Sequence, residues 1–103
     1  MTMLAAPLSS TAVVVVDVVG ELDITSVARV REALDDALAV RPEQLVVDLS
    51  GCAFVDASAL TMLLEVHRQA CRSGRTLTLR GCSPRVLRLL SLTGLRRVFD
   101  LAS

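Results

Sequence analysis

The side chains best placed for chemistry are Asp56 and Ser58, which lie between an apolar strand-like run and an amphipathic helical pattern. Asp56 is predicted to cap that helix, because its carboxylate can accept hydrogen bonds from N–H groups that the first turn leaves unpaired. The same N–H groups and the positive end of the helix dipole favour a phosphate or a partner's carboxylate. Ser58 is therefore a candidate phosphorylation site, or else a small residue that only fills the first turn.

The remaining polar residues give little indication of an enzymatic function. Asp23 and Asp56 could form an acid–base pair or bind Mg²⁺, but two helix-entry caps account for both residues more simply. The only histidine, His67, lies roughly three helical turns after Ser58, too far away to act as its general base. Glycine-rich phosphate loops are absent from the sequence. We therefore expect no catalytic residue, no bound metal and no cofactor.

The cysteines Cys52, Cys71 and Cys82 are odd in number and contain no Cys-x-x-Cys pair. A disulfide framework or a zinc site is therefore not expected, and free, mostly buried thiols are the default. Cys52 and Cys82 offer a sharper alternative, because each follows the carboxyl end of a predicted strand. If those strands are neighbours, the two sulfurs approach disulfide distance and form a redox switch.

Composition limits the class of partner. The chain has 103 residues, enough for one domain, and is 52% hydrophobic but only 2% aromatic, with no Trp or Tyr. Platforms for base stacking are therefore not expected, and a net charge of zero gives no reason to expect nucleic acid or membrane as a partner. Without a signal-like start or a membrane-length apolar run, the protein is expected to be cytoplasmic.

Charge is distributed unevenly along the chain. Up to Glu65 there are ten acidic residues and three arginines, whereas the rest of the chain has eight arginines and one acidic residue. Such a division favours a bipolar surface that orients a protein partner, although the charges could also interleave after folding.

Strands and helices are predicted to alternate along one domain, residues 1–103. We expect an α/β fold with a mainly parallel sheet of four to five strands and three to four helices, joined by right-handed crossovers. Residues 1–10 are expected to be frayed or to hold a short edge strand at 3–6. The other predicted strands are at 13–19, from 45, at 76–80 and, as a short strand or turn, within 95–101. Helices are predicted after Ser26, from Ala57 to near Gly74, and after Ser83-Pro84.

Three motifs in this order resemble the STAS domain of bacterial anti-sigma-factor antagonists. They are Gly20-Glu21-Leu22-Asp23, the run Asp48-Leu49-Ser50 through Phe54-Val55-Asp56-Ala57-Ser58-Ala59-Leu60, and Ser83-Pro84-Arg85-Val86-Leu87-Arg88-Leu89-Leu90 followed by Leu92-Thr93-Gly94-Leu95. The resemblance implies a binding protein rather than an enzyme. Its implied partner is an anti-sigma factor, usually a serine kinase of the histidine-kinase-like ATPase fold, whose binding frees a sigma factor for transcription.

The chain departs from that family at the phosphorylation motif. The usual phosphoacceptor position holds Ala57, the next position holds Ser58, and the usual Gly is Ala59. The resemblance therefore implies either a displaced acceptor at Ser58 or a loss of phosphorylation, which we favour, with the cysteines as candidates for another kind of control. The predicted interface includes the Asp23 turn, a loop from Gly51 to Phe54, and Asp56, Ala57 and Ser58, with Thr61 and Met62 on its rim. The alternative function is a scaffolding, self-associating STAS unit, such as a homodimer.

Overall fold

The computed structural model describes residues 13–102 and has the alternating order of strands and helices that the sequence predicts. The elements are β1 (Val13–Asp17), β2 (Gly20–Leu22), α1 (Val27–Ala39), β3 (Gln44–Asp48), β4 (Cys52–Val55), α2 (Ala57–Arg72), β5 (Thr76–Arg80), α3 (Pro84–Leu92) and β6 (Asp100–Ala102). The edge strand predicted at 3–6 lies outside the described residues.

Four of the strands form a parallel sheet in the order β1-β3-β5-β6. Its register is shown by the row of partners Val15, Val46, Thr78 and Asp100, one from each strand. The two central strands are buried on both faces, although only β3 carries a continuous apolar run and β5 alternates Thr with Leu. A mainly parallel sheet of four strands with three helices over residues 13–102 confirms the predicted fold class.

A second, two-stranded parallel sheet pairs β2 with β4. The sequence analysis was wrong here, because it treated 13–19 as one strand and 51–54 as a loop. The first strand ends at Asp17, the chain turns, and Gly20 has φ of 93°, a left-handed conformation that favours glycine. β4 then places only Cys52 and Val55 inward, a pattern too short to read as a strand from sequence alone.

The helix starts follow the predicted capping residues, with one difference. Asp56 caps α2 and Ser83 caps α3, each through a side-chain oxygen that accepts from a backbone N–H of the first turn. Ser26 occupies the capping position of α1 but does not cap it with its side chain. Its hydroxyl instead donates to the Glu21 carbonyl at 2.9 Å, which fixes the turn between β2 and α1.

The core is built from aliphatic side chains, as the low aromatic content requires. The inner faces of α1 and α2 bring Leu34, Leu63 and Val66 onto the sheet, where none of the three is exposed. Leu90 of α3 joins the same cluster. Within residues 13–102, no helix combines the length and the apolar character needed to cross a membrane.

Candidate functional site

The carboxylate of Asp56 holds two segments together at one end of the molecule. One oxygen, Oδ1, accepts from the Ser58 hydroxyl at 2.6 Å and from the Ala59 N–H at 2.9 Å. The other, Oδ2, accepts from the Ile24 N–H at 3.0 Å, across 32 positions of sequence. These bonds, above all the one from Ser58, hold the pKa of Asp56 below its usual range. The first turn of α2 and the β2–α1 turn are therefore fixed relative to each other.

The β2–α1 turn has its own internal hydrogen bonds. Asp23 Oδ1 accepts from the hydroxyl of Thr25 and, at 2.9 Å, from its N–H. These two bonds lower the pKa of Asp23, with the hydroxyl contributing most. The buried Ser26 hydroxyl accepts from the Asp23 N–H at 3.1 Å, so the turn is held from both sides. As a result, the Ile24 side chain is presented outward, 72% exposed.

The two carboxylates are not in the protonation state that a general acid requires. Asp23 and Asp56 each accept several hydrogen bonds, and both have a lowered pKa, so each is ionised at neutral pH. Neither can then hold a proton to donate. Across residues 13–102 there is also no cluster of three or more His, Cys, Asp and Glu side chains that could bind a metal ion. Their hydrogen bonds place both carboxylates in structural roles, as helix-entry and turn residues.

Ala57 and Ser58 have different environments at the start of α2. Ala57, the first helical residue, is exposed and presents a methyl group to solvent. Ser58 is half-buried, and its hydroxyl is already engaged with Asp56. The hydroxyl of Ser58 thus points back toward the capping carboxylate, while the outward position at the helix tip has no hydroxyl.

The structure corrects the predicted rim of this surface. Met62 is only 5% exposed and packs in the core, because it lies on the same inward face of α2 as Ala59 and Leu63. Thr61 is exposed, as expected, and its hydroxyl donates back to the Ala57 carbonyl at 3.0 Å. Gly51 is exposed, and Phe54 keeps 37% of its surface accessible although it belongs to a strand.

Sequence reasoning missed three residues beside this surface. Ile24 is exposed next to Asp23, the Arg85 guanidinium lies 5.9 Å from the centre of the Phe54 ring, and Leu92 is 78% exposed at the end of α3. A signal was present for Leu92, since α3 has more apolar residues than one buried helix face can hold. Ile24, between two polar neighbours, gave no comparable pattern.

The three cysteines are free, and their surroundings differ. The strands that precede Cys52 and Cys82, β3 and β5, are neighbours in the main sheet, as the redox prediction required. Cys52 itself is buried in β4, and its thiol donates to the Phe54 carbonyl at 3.3 Å. Cys82 is half-buried, and burial, followed by the nearby Cys52 thiol, raises its pKa. A raised pKa disfavours the reactive thiolate. The redox switch of Cys52 and Cys82 stays a prediction.

His67 lies on the border of the buried face of α2, as expected. Its ring packs edge-on against Phe99, with centroids 5.4 Å apart, and lies beside the Cys71 sulfur, one helical turn further on. These contacts explain the position of His67 as that of a packing residue.

The fold and the site define a class of protein, a parallel α/β domain in which a capping carboxylate joins the start of α2 to the β2–α1 turn. The family model described as "Mlab, STAS domain" matches residues 7–101. The chain therefore belongs to the STAS domain family, which confirms the resemblance drawn from its motifs.

Named relatives narrow this class. The chain is 28% identical to a STAS-domain containing protein of Pseudomonas aeruginosa, over 99% of this chain and 100% of that protein. It is also 28% identical to the anti-sigma-B factor antagonist of Bacillus subtilis, over 85% of this chain and 80% of that one. The crystal structure of an anti-sigma factor antagonist from Mycobacterium paratuberculosis superposes with a TM-score of 0.73 at 31% identity, covering 96% and 90% of the two chains. Homologues of this chain are thus anti-sigma factor antagonists.

Proposed function

We propose that this protein is an anti-sigma factor antagonist. It binds an anti-sigma factor, a serine kinase of the histidine-kinase-like ATPase fold, and so releases a sigma factor for transcription in the cytoplasm. Its action is binding rather than catalysis. Support comes from homologues named as antagonists of anti-sigma factors and from the ionised, hydrogen-bonded state of the two carboxylates at the site.

The observation that carries the proposal is the exposed methyl of Ala57 at the tip of a preorganised helix. Around it, the Asp56 bond to the Ile24 N–H fixes the neighbouring turn before any partner arrives. A surface held in one conformation loses little entropy on binding. The proposed interface therefore centres on Ala57 and includes Asp23, Ile24, Gly51 and Phe54, with Asp56 and Ser58 supporting it from behind.

We propose further that this antagonist is not switched off by phosphorylation. A phosphate on Ser58 would require breaking its 2.6 Å hydrogen bond to Asp56 and would place new negative charge beside that carboxylate. The outward position that a kinase could reach is occupied by Ala57, which has no hydroxyl. Binding of the anti-sigma factor then persists in the presence of ATP.

The test is to incubate the full chain with each purified anti-sigma kinase encoded by its source genome, with and without ATP. Native mass spectrometry reports complexes, and intact mass spectrometry reports transferred phosphate. Binding without phosphate on the antagonist supports the proposal. Phosphate on Ser58, lost in Ser58→Ala, would show a displaced but working switch and contradict the loss of phosphorylation.

A control on the chain alone tests the alternative function, a self-associating scaffold. Light scattering over the micromolar range gives the oligomeric state, and we expect a monomer. Stable self-association together with no binding to any kinase of the panel would support the scaffold and overturn the antagonist.

A further inference from the structure

An apolar groove of about 310 Å³ lies between the end of β4, the tip of α2 and one side of α3. Phe54, Ala57, Leu89 and Leu92 contribute to its lining. Leu92 projects almost freely from the end of α3, with 78% of its surface exposed, and Phe54 is 37% exposed on the opposite wall. Two large apolar side chains facing one groove form the kind of surface that marks a binding site rather than isolated exposed residues.

The α3 wall of this groove carries positive charge. Arg85 and Arg88 both line it, and α3 contains no acidic residue that could neutralise them. Neither arginine takes part in an ion pair with any residue of 13–102. The Arg85 guanidinium instead lies 5.9 Å from the centre of the Phe54 ring, a cation–π arrangement that keeps its charge beside an apolar side chain of the groove.

We propose that this groove binds an acidic amphipathic segment of the anti-sigma factor. One large apolar side chain of that segment inserts between Phe54 and Leu92, and carboxylates on either side of it pair with Arg85 and Arg88, which are well suited to bidentate contacts. The inference rests on the proposed function, because it extends the surface at Ala57 along α3. It adds a recognition rule, namely that partners are selected by acidic residues flanking an apolar anchor.

The charges around the groove favour this occupant over two others. Asp56 lines the groove, and Glu21 lies opposite Phe54 in the β2–β4 register, so an anionic bilayer would meet two carboxylates. A second copy whose two-fold axis passed through the α3 wall would bring the arginines of α3 against the same arginines. A separate segment, unlike a uniformly anionic surface, can place its carboxylates on the α3 side alone, against Arg85 and Arg88 and away from Asp56 and Glu21.

The probe is a phage-displayed library of random peptides, selected on the full chain. We expect enriched sequences with an apolar residue flanked by Asp or Glu. Affinity of the best synthetic peptide, measured by calorimetry, should fall by about tenfold or more in Leu92→Ser and in Arg88→Glu. Val40→Ser and Arg29→Glu make equivalent changes on exposed residues outside the groove and should leave the affinity unchanged. Circular dichroism verifies that all four variants are folded.

Several results would overturn the inference. Enriched peptides without acidic residues, or peptides that bind Leu92→Ser as tightly as the unaltered chain, would contradict the proposed recognition. Binding to phosphatidylglycerol vesicles that is lost in Leu92→Ser would assign the groove to a membrane, and a dimer lost in the same variant would assign it to a second copy. If acidic peptides bind but no anti-sigma kinase does, the proposed antagonist function and the identity of the partner are both contradicted. The preference of the groove for an acidic, apolar segment would still be supported.

Discussion

Placing a charge at Ala57 should separate the stability of the fold from binding to the partner. The first turn of α2 contains no acidic residue, and Ala57 is its first, exposed position. A carboxylate introduced by Ala57→Glu faces the positive end of the helix dipole, whereas Ala57→Gln is a neutral control of similar size and helix propensity. The difference between the two variants isolates the charge.

The added charge should stabilise the free protein and weaken its complex with the partner. A charge in the first turn stabilises a helix by about 0.3–1 kcal/mol, and repulsion from the capping carboxylate of Asp56 places the net effect near the lower limit. The Glu variant should then unfold roughly 1–4 °C above the Gln variant. In the complex, an unpaired carboxylate at the centre of the interface costs about 2–4 kcal/mol, which weakens binding roughly 30- to 700-fold.

The assay pairs thermal unfolding with calorimetric titration against the anti-sigma kinase found by the panel. Far-ultraviolet circular dichroism is the right probe of unfolding, because the chain has no Trp or Tyr. Binding by the Glu variant as tight as by the Gln variant would refute the placement of Ala57 in the interface. Equal weakening in both variants would show that size, rather than charge, excludes the partner.

Three further predictions concern the stability of the fold around the site. Gly81→Ala should destabilise the fold by about 2 kcal/mol in urea unfolding, because Gly81 has φ of 72°, which disfavours any residue with a Cβ. The new Cβ would also meet the Ser50 side chain and lie 3.1 Å from the Ser50 backbone nitrogen. Partial recovery of stability in the double variant Gly81→Ala with Ser50→Ala would show that the contact with Ser50 contributes to the loss. Hydrogen bonds from Ser50, followed by those from Arg80, lower the pKa of Asp48 to about 2 from 3.8. The ionised Asp48 should therefore stabilise the fold fully above pH 3.8, and this stabilisation should be lost as the pH falls from 3.8 to about 2. In Asp48→Asn we expect Tm to depend less on pH over this range. Leu63→Ala removes a side chain with no exposed surface and should cost about 2–5 kcal/mol by the same urea measurement, and a much smaller loss would contradict the packing of α2 on the sheet.

Most of the main sheet could be predicted from sequence, because β1 and β3 are apolar runs, β5 alternates, and two of the three helices start at side-chain caps. Asp56 and Ser83 were recognised as caps from residue type and position, and both cap in the structure. The β2–β4 pair could not be predicted, since four residues with two inward side chains carry no periodic signal. Its formation depends on tertiary pairing, which satisfies backbone groups that the local sequence leaves open.

The residues of the candidate site were predicted to lie together, whereas their role in binding a partner stays a prediction. The motif placed Asp23, Asp56 and Ala57 together, yet only the folded chain shows Asp56 reaching the Ile24 N–H. Met62 was misplaced because a single helical position decides whether a side chain faces the core or solvent. The groove beside α3 was missed because it combines residues of three elements that are separated in sequence.

The single carboxylate that joins α2 to the β2–α1 turn has a consequence for how such proteins diversify. Because Asp56 fixes the backbone, the outward side chains at Ile24 and Ala57, which make no hydrogen bond of their own, can change without reshaping the surface. A genome that duplicates this domain can therefore give each copy its own partner by substituting those positions alone. Signalling pathways that do not cross-react would then evolve by a few substitutions, with the fold unchanged.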